Sequence, residues 1–418
     1  MSDRKFLIPE YGPFAGMRVV CAGSLIAMPF AATMLADFGA EVIHIERPGA
    51  GDTLRMLGPF AEANGKQVST GWAQDARNKL SLTLELNLKH PEVKELFYGL
   101  IKESDVFMEN MVWIEKLGLR DEELLKVNPK LVIVHVSGLG NAAFGGVPGV
   151  CSRASYDMIG QAFSGWLYLQ GYADRDPVVA KPYLNDFVSA FAAAFGTLAA
   201  YNAAQRTGKG QVVDVAQFEA MAQYMFGTYV SYSMAGEIGE RSGNASPAFQ
   251  PYDLFKSSDG ALVALGAFGP NVYSRCIKAM GLDTDYFTYA DCSADGAAVQ
   301  SPKGRELNAK VVEWCASHTA ADIEQIMENA KVPCSKVNNA KDVFESEHFK
   351  RRGDWITYED QTVGADITAF GIAPKLSATP GKVWRGAPSL GQDTEDILKT
   401  ILGYDDEKIA ELKGKGLI

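Results

Sequence analysis

Histidine is scarce in this 418-residue chain, with five in all: His44, His90, His135, His318 and His348. None stands in an HExxH or other ligand spacing, so the sequence predicts no metal site. The six cysteines (Cys21, Cys151, Cys276, Cys292, Cys315, Cys334) are scattered with no CxxC pair. In a chain this long that pattern reads as reduced, mostly buried thiols in a cytoplasmic protein. No cluster of Lys and Arg offers a basic groove. With a net charge of −11 and a pI of about 5.1, non-specific nucleic-acid binding is disfavoured, and a polyanionic ligand must be held by a few placed cations. A Walker A loop is absent, which argues against direct use of ATP, and so is a GxSxG elbow. The start, Met-Ser-Asp-Arg-Lys, is followed by no apolar signal region. The longest apolar run, around residues 187–200, is expected to be too short to span a bilayer.

What is present is ordinary for a globular chain: 47% hydrophobic and 22% charged residues, with enough length for two or three domains and a large core. A short apolar strand over 17–23, a helix over 29–38 ending at Gly39, and a strand over 41–46 make a strand–helix–strand unit that implies a parallel sheet. The alternation continues with strands at 78–86, 105–110 and 131–137, an amphipathic helix over 91–104 and a short helix at 122–128. The fold class expected is α/β: a Rossmann-like parallel-sheet large domain plus a smaller α+β domain. The predicted boundaries are 1–235 for the large domain, 236–335 for a linker and small domain, and 336–418 for a C-terminal segment returning to the large domain. The aromatics of 218–232, on a single helix over 217–235, are expected in the core.

The first strand–helix turn, Gly23-Ser-Leu-Ile-Ala-Met28, lacks the GxGxxG pattern, so a dinucleotide is not indicated. Arg47, directly after the second strand, sits where a phosphate could be met, and equally where a solvated loop Arg would be. Cys334 reads as a small core residue. Lys181-Pro-Tyr-Leu-Asn-Asp186 leads into an Ala-rich apolar helix running to Arg206. Asp186 falls at the cap or first turn, where it is either a helix cap or a reactive carboxylate. Upstream lies Ser152-Arg-Ala-Ser-Tyr156-Asp157, after a glycine-rich loop at 138–150 of the kind that carries ligand groups in α/β folds.

Taken together, several stretches carry a resemblance. They are Gly-Ala-Glu-Val-Ile-His-Ile-Glu-Arg47-Pro, Arg-Asn78-Lys79-Leu-Ser-Leu, Asn128-Pro-Lys-Leu-Val-Ile, Ser155-Tyr156-Asp157 through Gly165, Thr-Gly208-Lys-Gly210-Gln, Val-Pro-Cys334-Ser-Lys-Val and Ala387-Pro-Ser-Leu-Gly391-Gln-Asp-Thr394. In order and spacing the chain resembles the family III CoA-transferases, the CaiB/BaiF family, over essentially its whole length. Tyr-Gly-Pro-Phe-Ala-Gly16, Pro182-Tyr-Leu-Asn-Asp186 and Val383-Trp384-Arg385-Gly-Ala-Pro388 are similar to the carnitine and bile-acid branch. The resemblance implies Asp186 as nucleophile. It implies coenzyme A contacts at Ile26, Ala27, Arg47, Asn78, Lys79, Asn110, Lys116, Tyr156 and Asp157. Acyl-CoA and a carboxylic acid acceptor would be the substrates, with no tightly bound cofactor, in an interlocked homodimer. Two departures stand out. Lys116-Leu-Gly replaces an Arg-Leu-Gly, exchanging a bidentate grip for a point charge. The glycine-rich lid of formyl-CoA transferase is not visible, and residues 245–252 read Ala-Ser-Pro-Ala-Phe-Gln-Pro-Tyr, a stiffer segment. The same family fold hosts α-methylacyl-CoA racemases, which carry a His where Tyr156 stands. A phenol is a poor base at neutral pH, so Tyr156 favours transfer.

Overall fold

The computed structural model describes residues 4–111 and 114–418. The chain forms two compact units: Met1–Trp166 with Ala180–Gly227 and Arg351–Ile418, and Leu167–Val179 with Thr228–Lys350. The breaks therefore fall at 227/228 and 350/351, where 235/236 and 335/336 were expected. The cause of the first is local. Phe226 and Gly227 both take positive φ (32° and 75°), which splits the expected single helix into Gln217–Ala222 and Thr228–Ala235. The excursion 167–179 goes with the smaller unit because Arg241 donates to the carbonyls of Tyr168 and Tyr172.

The larger unit is built on six parallel strands: β1 (Arg18–Cys21), β2 (Glu41–Glu46), β3 (Lys79–Thr83), β4 (Val106–Glu109), β5 (Val132–Ser137) and β6 (Gln211–Ala216). Their spatial order is β3-β2-β1-β4-β5-β6. This is the doubly wound dinucleotide-fold order, which reverses between β1 and β4, and it bears out the expected parallel sheet. All six residues of β2 are buried, as a parallel strand covered on both faces requires.

One face packs against α1 (Ala27–Asp37) and α2 (Leu184–Thr207). Small residues meet there, Ala31, Ala32 and Ala36 with Ala190, Ala193 and Ala200, so the two backbones approach closely. The opposite face is covered by helix Pro91–Lys102 through Leu96, Phe97 and Leu100, and by the C-terminal helices through Leu398 and Leu412. At 24 residues α2 is longer than the apolar run had suggested, and by length and composition it could cross a membrane. One side of it is the core face just described. Two hairpins, Phe60–Ala63 with Lys66–Ser69 and Trp355–Asp360 with Ala365–Phe370, complete the unit. The first went unpredicted although its Asn64-Gly65 turn, with φ of 51° and 69°, is a hairpin signature.

The smaller unit is α+β. An antiparallel sheet of Cys334–Lys336, Leu262–Gly266 and Tyr252–Lys256 packs on helices Pro270–Ala279, Pro302–Ala316 and Ala320–Asn329 around Val263, Leu265, Ile277, Val311 and Ile323. Its 245–252 segment is pinned through Gln250. That buried amide donates to the carbonyls of Cys292 and Gly304 at 2.8 and 2.9 Å, and its backbone N–H donates to Ser293.

Candidate active site

Helices α1 and α2 open into one cleft of about 500 Å³ at the carboxyl ends of β1, β4, β5 and β6. This is the position where open α/β sheets bind ligands. Phe187, next to Asp186, meets Phe30 edge-on with ring centroids 4.9 Å apart, and so ties the first turns of the two helices together.

The first strand–helix turn is held from two sides. The Asn110 side chain accepts from the Ser24 N–H at 2.8 Å and donates to the Ser24 carbonyl at 2.9 Å. Asp52 accepts from the Leu25 N–H at 2.9 Å and from the Ser24 hydroxyl at 3.1 Å. These bonds sustain Leu25 at φ 66°, a conformation that a branched side chain rarely adopts. Ile26 then begins α1 with no side-chain cap. The first-turn N–H groups of such a helix have no intrahelical partner and concentrate positive potential.

Asp186 is the third residue of α2 and is not its cap. Tyr183 precedes the helix at φ 44° and gives no side-chain bond. The capping acceptor comes from Asp157, on helix α3 (Asp157–Phe163): its Oδ1 accepts from the backbone N–H groups of Asn185 (2.7 Å) and Asp186 (3.3 Å). Gly160 of α3 allows this approach, since a Cβ there would lie 1.9 Å from the Asn185 amide nitrogen. The Asp186 carboxylate is half-buried and accepts one side-chain bond, from Gln217 Nε2 at 2.5 Å. Burial, then the like charge of Asp157, push its pKa up to about 6, and the Gln217 bond opposes them. The capping role belongs to Asp157, and Asp186 is left more basic than an ordinary aspartate.

Of the residues singled out in the sequence, Ile26, Ala27, Asn110, Tyr156 and Asp186 line the cleft. Lys116 is exposed on the 3-10 turn Ile114–Leu117, beside the lining residues Ile114 and Glu115. The others stand elsewhere. Arg47 is exposed, 3.9 Å from Glu85. Asn78 is buried at φ 63°, donating to Asp37 and to the Lys382 carbonyl and accepting from the Trp384 N–H. Lys79 is 1% exposed. Its place in β3 turns it into the interior with Ser81, where burial holds its pKa down, and it does not line the cleft. Asp157 is consumed as the cap of α2. The 218–232 aromatics expected in the core are largely outside it: Phe226 is 100% and Tyr232 62% exposed.

Several lining residues went unremarked. Gln217, Asp214 and Arg153 all face the cleft, and so do Glu109 and His135. Arg153 lies within the Ser-Arg-Ala-Ser-Tyr-Asp motif that marked the region. His135 and Glu109 are paired residues of adjacent strands. The ring bonds Glu109 through Nδ1 in a very short contact and Asp121 through Nε2 at 3.1 Å. Burial alone would lower the pKa of His135, but the two carboxylates outweigh it and raise it to about 10.

A model of CoA-transferase family III matches residues 14–394. The chain is 35% identical over 413 residues to the bile acid CoA-transferase BaiK of Clostridium scindens, covering 98% of this chain and 90% of that one. It is 34% identical over 412 residues to the succinyl-CoA–D-citramalate CoA-transferase of Chloroflexus aurantiacus, covering 97% and 98%. It is 33% identical over 411 residues to the β subunit of that organism's succinyl-CoA–L-malate CoA-transferase, again covering 97% and 98%. Among solved structures, a CaiB/BaiF family protein of Brucella suis superposes with a TM-score of 0.80 at 26% identity, covering 94% of this chain and all of that one.

Proposed function

We propose, for a chain that belongs to CoA-transferase family III and is an enzyme of that family, that Asp186 carries coenzyme A from an acyl-CoA to a free carboxylic acid. The observation that supports this most is the setting of Asp186: a half-buried carboxylate with one donor, a like charge beside it and a pKa near 6. It is mostly ionised at neutral pH, yet more nucleophilic than a solvent-exposed aspartate.

The Asp186 carboxylate attacks the thioester carbonyl, giving an aspartyl–acyl anhydride and a CoA thiolate. The thiolate attacks the aspartyl carbonyl, releases the first acid as its carboxylate and leaves an aspartyl-CoA thioester. The acceptor carboxylate attacks that thioester, and the thiolate released attacks the acceptor's acyl carbon, regenerating Asp186. One thioester replaces another, so no ATP enters. Oxyanion support comes from backbone N–H groups at the start of α1, whose residues Ile26 and Ala27 line the cleft.

The cleft's charge favours an acceptor with little extra negative charge. Asp186, Asp214 and Glu115 face it, while its cations are Arg153 and a His135 already bonded to two carboxylates. A betaine of the carnitine type or a bile acid meets less repulsion there than a dicarboxylate. Racemisation is the second reading on this fold. It needs a free base opposite Asp186, and the lining residues offer Tyr156 and a His135 with both nitrogens engaged.

Two further properties follow. Phe191 and Phe195 on α2 are 53% and 75% exposed and Phe226 is 100% exposed, and large apolar side chains left in this way suit cover by a second copy in a homodimer. The six free cysteines suit a cytoplasmic setting.

The test of the nucleophile is Asp186→Asn with mass spectrometry after acyl-CoA incubation. Transfer should fall by about 10³-fold or more, and a CoA-sized, hydroxylamine-labile adduct on the Asp186 peptide should disappear. Near-native transfer by Asp186→Asn sinks the reading, and deuterium uptake at the α-carbon without any acceptor acid would replace it with racemisation.

A further inference from the structure

His135 bonds two carboxylates, Glu109 and Asp121, that stand near lining residues of the cleft. Glu109 ends β4, immediately before the lining residues Asn110 and Met111. Asp121 opens helix Asp121–Val127, after the lining residues Ile114 and Glu115. The contacts continue inward. Glu109 Oε2 accepts from the Met111 N–H at 2.6 Å, and Asn110 holds the Ser24 backbone at the base of α1.

We propose that His135 is a positioning residue for acyl-CoA binding, its two ring nitrogens bonding Glu109 and Asp121 and so fixing Glu109 and the cleft-lining Asn110 and Met111 that follow it. The inference rests on the CoA-transferase reading above.

The chemistry of the ring makes the case. Neutral imidazole has one N–H, so donation to both carboxylates requires the protonated form. Three carboxylates surround that charge: Glu109 from β4, Asp121 from its helix and Asp214 from β6, which pairs with His135 in register. Asp214 accepts from the Asn141 N–H at 3.3 Å. No ring nitrogen is left to act on substrate, which separates a positioning role from a catalytic one. Without the ring, Glu109 becomes a buried carboxylate lacking its counter-ion, and it must protonate or move, taking the Met111 contact with it.

The experiment is steady-state kinetics of His135→Asn with acyl-CoA and acceptor varied separately. The KM for acyl-CoA should rise about tenfold, the loss of roughly one charge-assisted hydrogen bond. The kcat and the KM for the acceptor should stay within about threefold of native. The Asp186 adduct should still form at saturating acyl-CoA. Asp121→Ala, at the 30% exposed end of the contact, covers the case in which His135→Asn does not fold, and should raise the same KM by a smaller factor. An unchanged acyl-CoA KM in either folded variant overturns the proposal, and so does an equal rise in both KM values. A native enzyme that transfers no CoA defeats the parent reading, whereas a native enzyme that transfers it alongside kinetically silent variants defeats only this one.

Discussion

Glu46 and Asp186 are carboxylates of the same unit placed in opposite surroundings. Glu46, at the end of β2, is buried and fully answered. It accepts from the Asp52 N–H, from Arg55 at 2.7 and 2.8 Å and from the Ser81 hydroxyl. Burial pushes its pKa up, but the Arg55 bond and charge, with His44 nearby, bring it below the ordinary Glu value. Asp186 has one donor and an acidic neighbour, and rises to about 6. A saturated carboxylate is scaffold: its charge is spent fixing Arg55 and the turn that Asp52 supports. An undersatisfied one at the mouth of a cleft keeps its lone pairs for a reaction.

The sharpest way to break this contrast is to neutralise each. Asp186→Asn should abolish transfer as described above, while Glu46→Gln should keep transfer per folded molecule within about tenfold. Stability should move the other way. Removing the charge from a buried pair costs about 2–4 kcal/mol, so Glu46→Gln should lower the urea midpoint. Its folded pKa is lowered, so the stability it contributes is present above the ordinary value of 4.5 and fades as pH falls through the folded value. Asp186 has a raised folded pKa, so its protonated form stabilises the fold below pH about 4 and that contribution is lost as pH rises through about 6. Asp186→Asn should therefore gain about 1–3 kcal/mol over native at pH 8 and nothing below pH 4. Equal signs for the two variants at pH 8 would mean the contrast is wrong. Smaller again is the effect at the surface. The homodimer proposed above predicts that Phe195→Asp, at a side chain 75% exposed, moves the light-scattering mass from dimer to monomer with little change in the fold.

Much of this was legible in the chain because parallel strands are buried on both faces and announce themselves as apolar runs. β2 has the bounds predicted from residues 41–46. Asp186 was legible through its position before an Ala-rich helix and through the motifs around it. What stayed hidden depends on sidedness and register. Lys79, a coenzyme A contact by resemblance, is turned inward by its place in β3. Glu109, Asp121 and His135 are separated by a dozen residues or more and meet only because β4 and β5 pair. Phe226, among the 218–232 aromatics, reads as core because apolar character alone does not tell an interior position from an exposed one, and it is 100% exposed.

The smallest predicted effect tests the single donor that distinguishes Asp186 from a bare buried acid. The kcat/KM of the native enzyme should rise through pH about 6 as Asp186 ionises. Gln217→Met preserves bulk at a buried position but removes the Nε2 donor, whose bond favours the charged carboxylate. A charge-assisted hydrogen bond of about 1.5–3 kcal/mol corresponds to roughly 1–2 pH units, so the acidic limb should move up by about that much. Rates at pH 8.5 should stay within about tenfold of native, because there most of the carboxylate is still ionised. A limb that stays in place, in a variant whose transfer still requires Asp186, would show that the ionisation being read belongs to another cleft group. Asp214 is the one to test next, since burial raises its pKa as well.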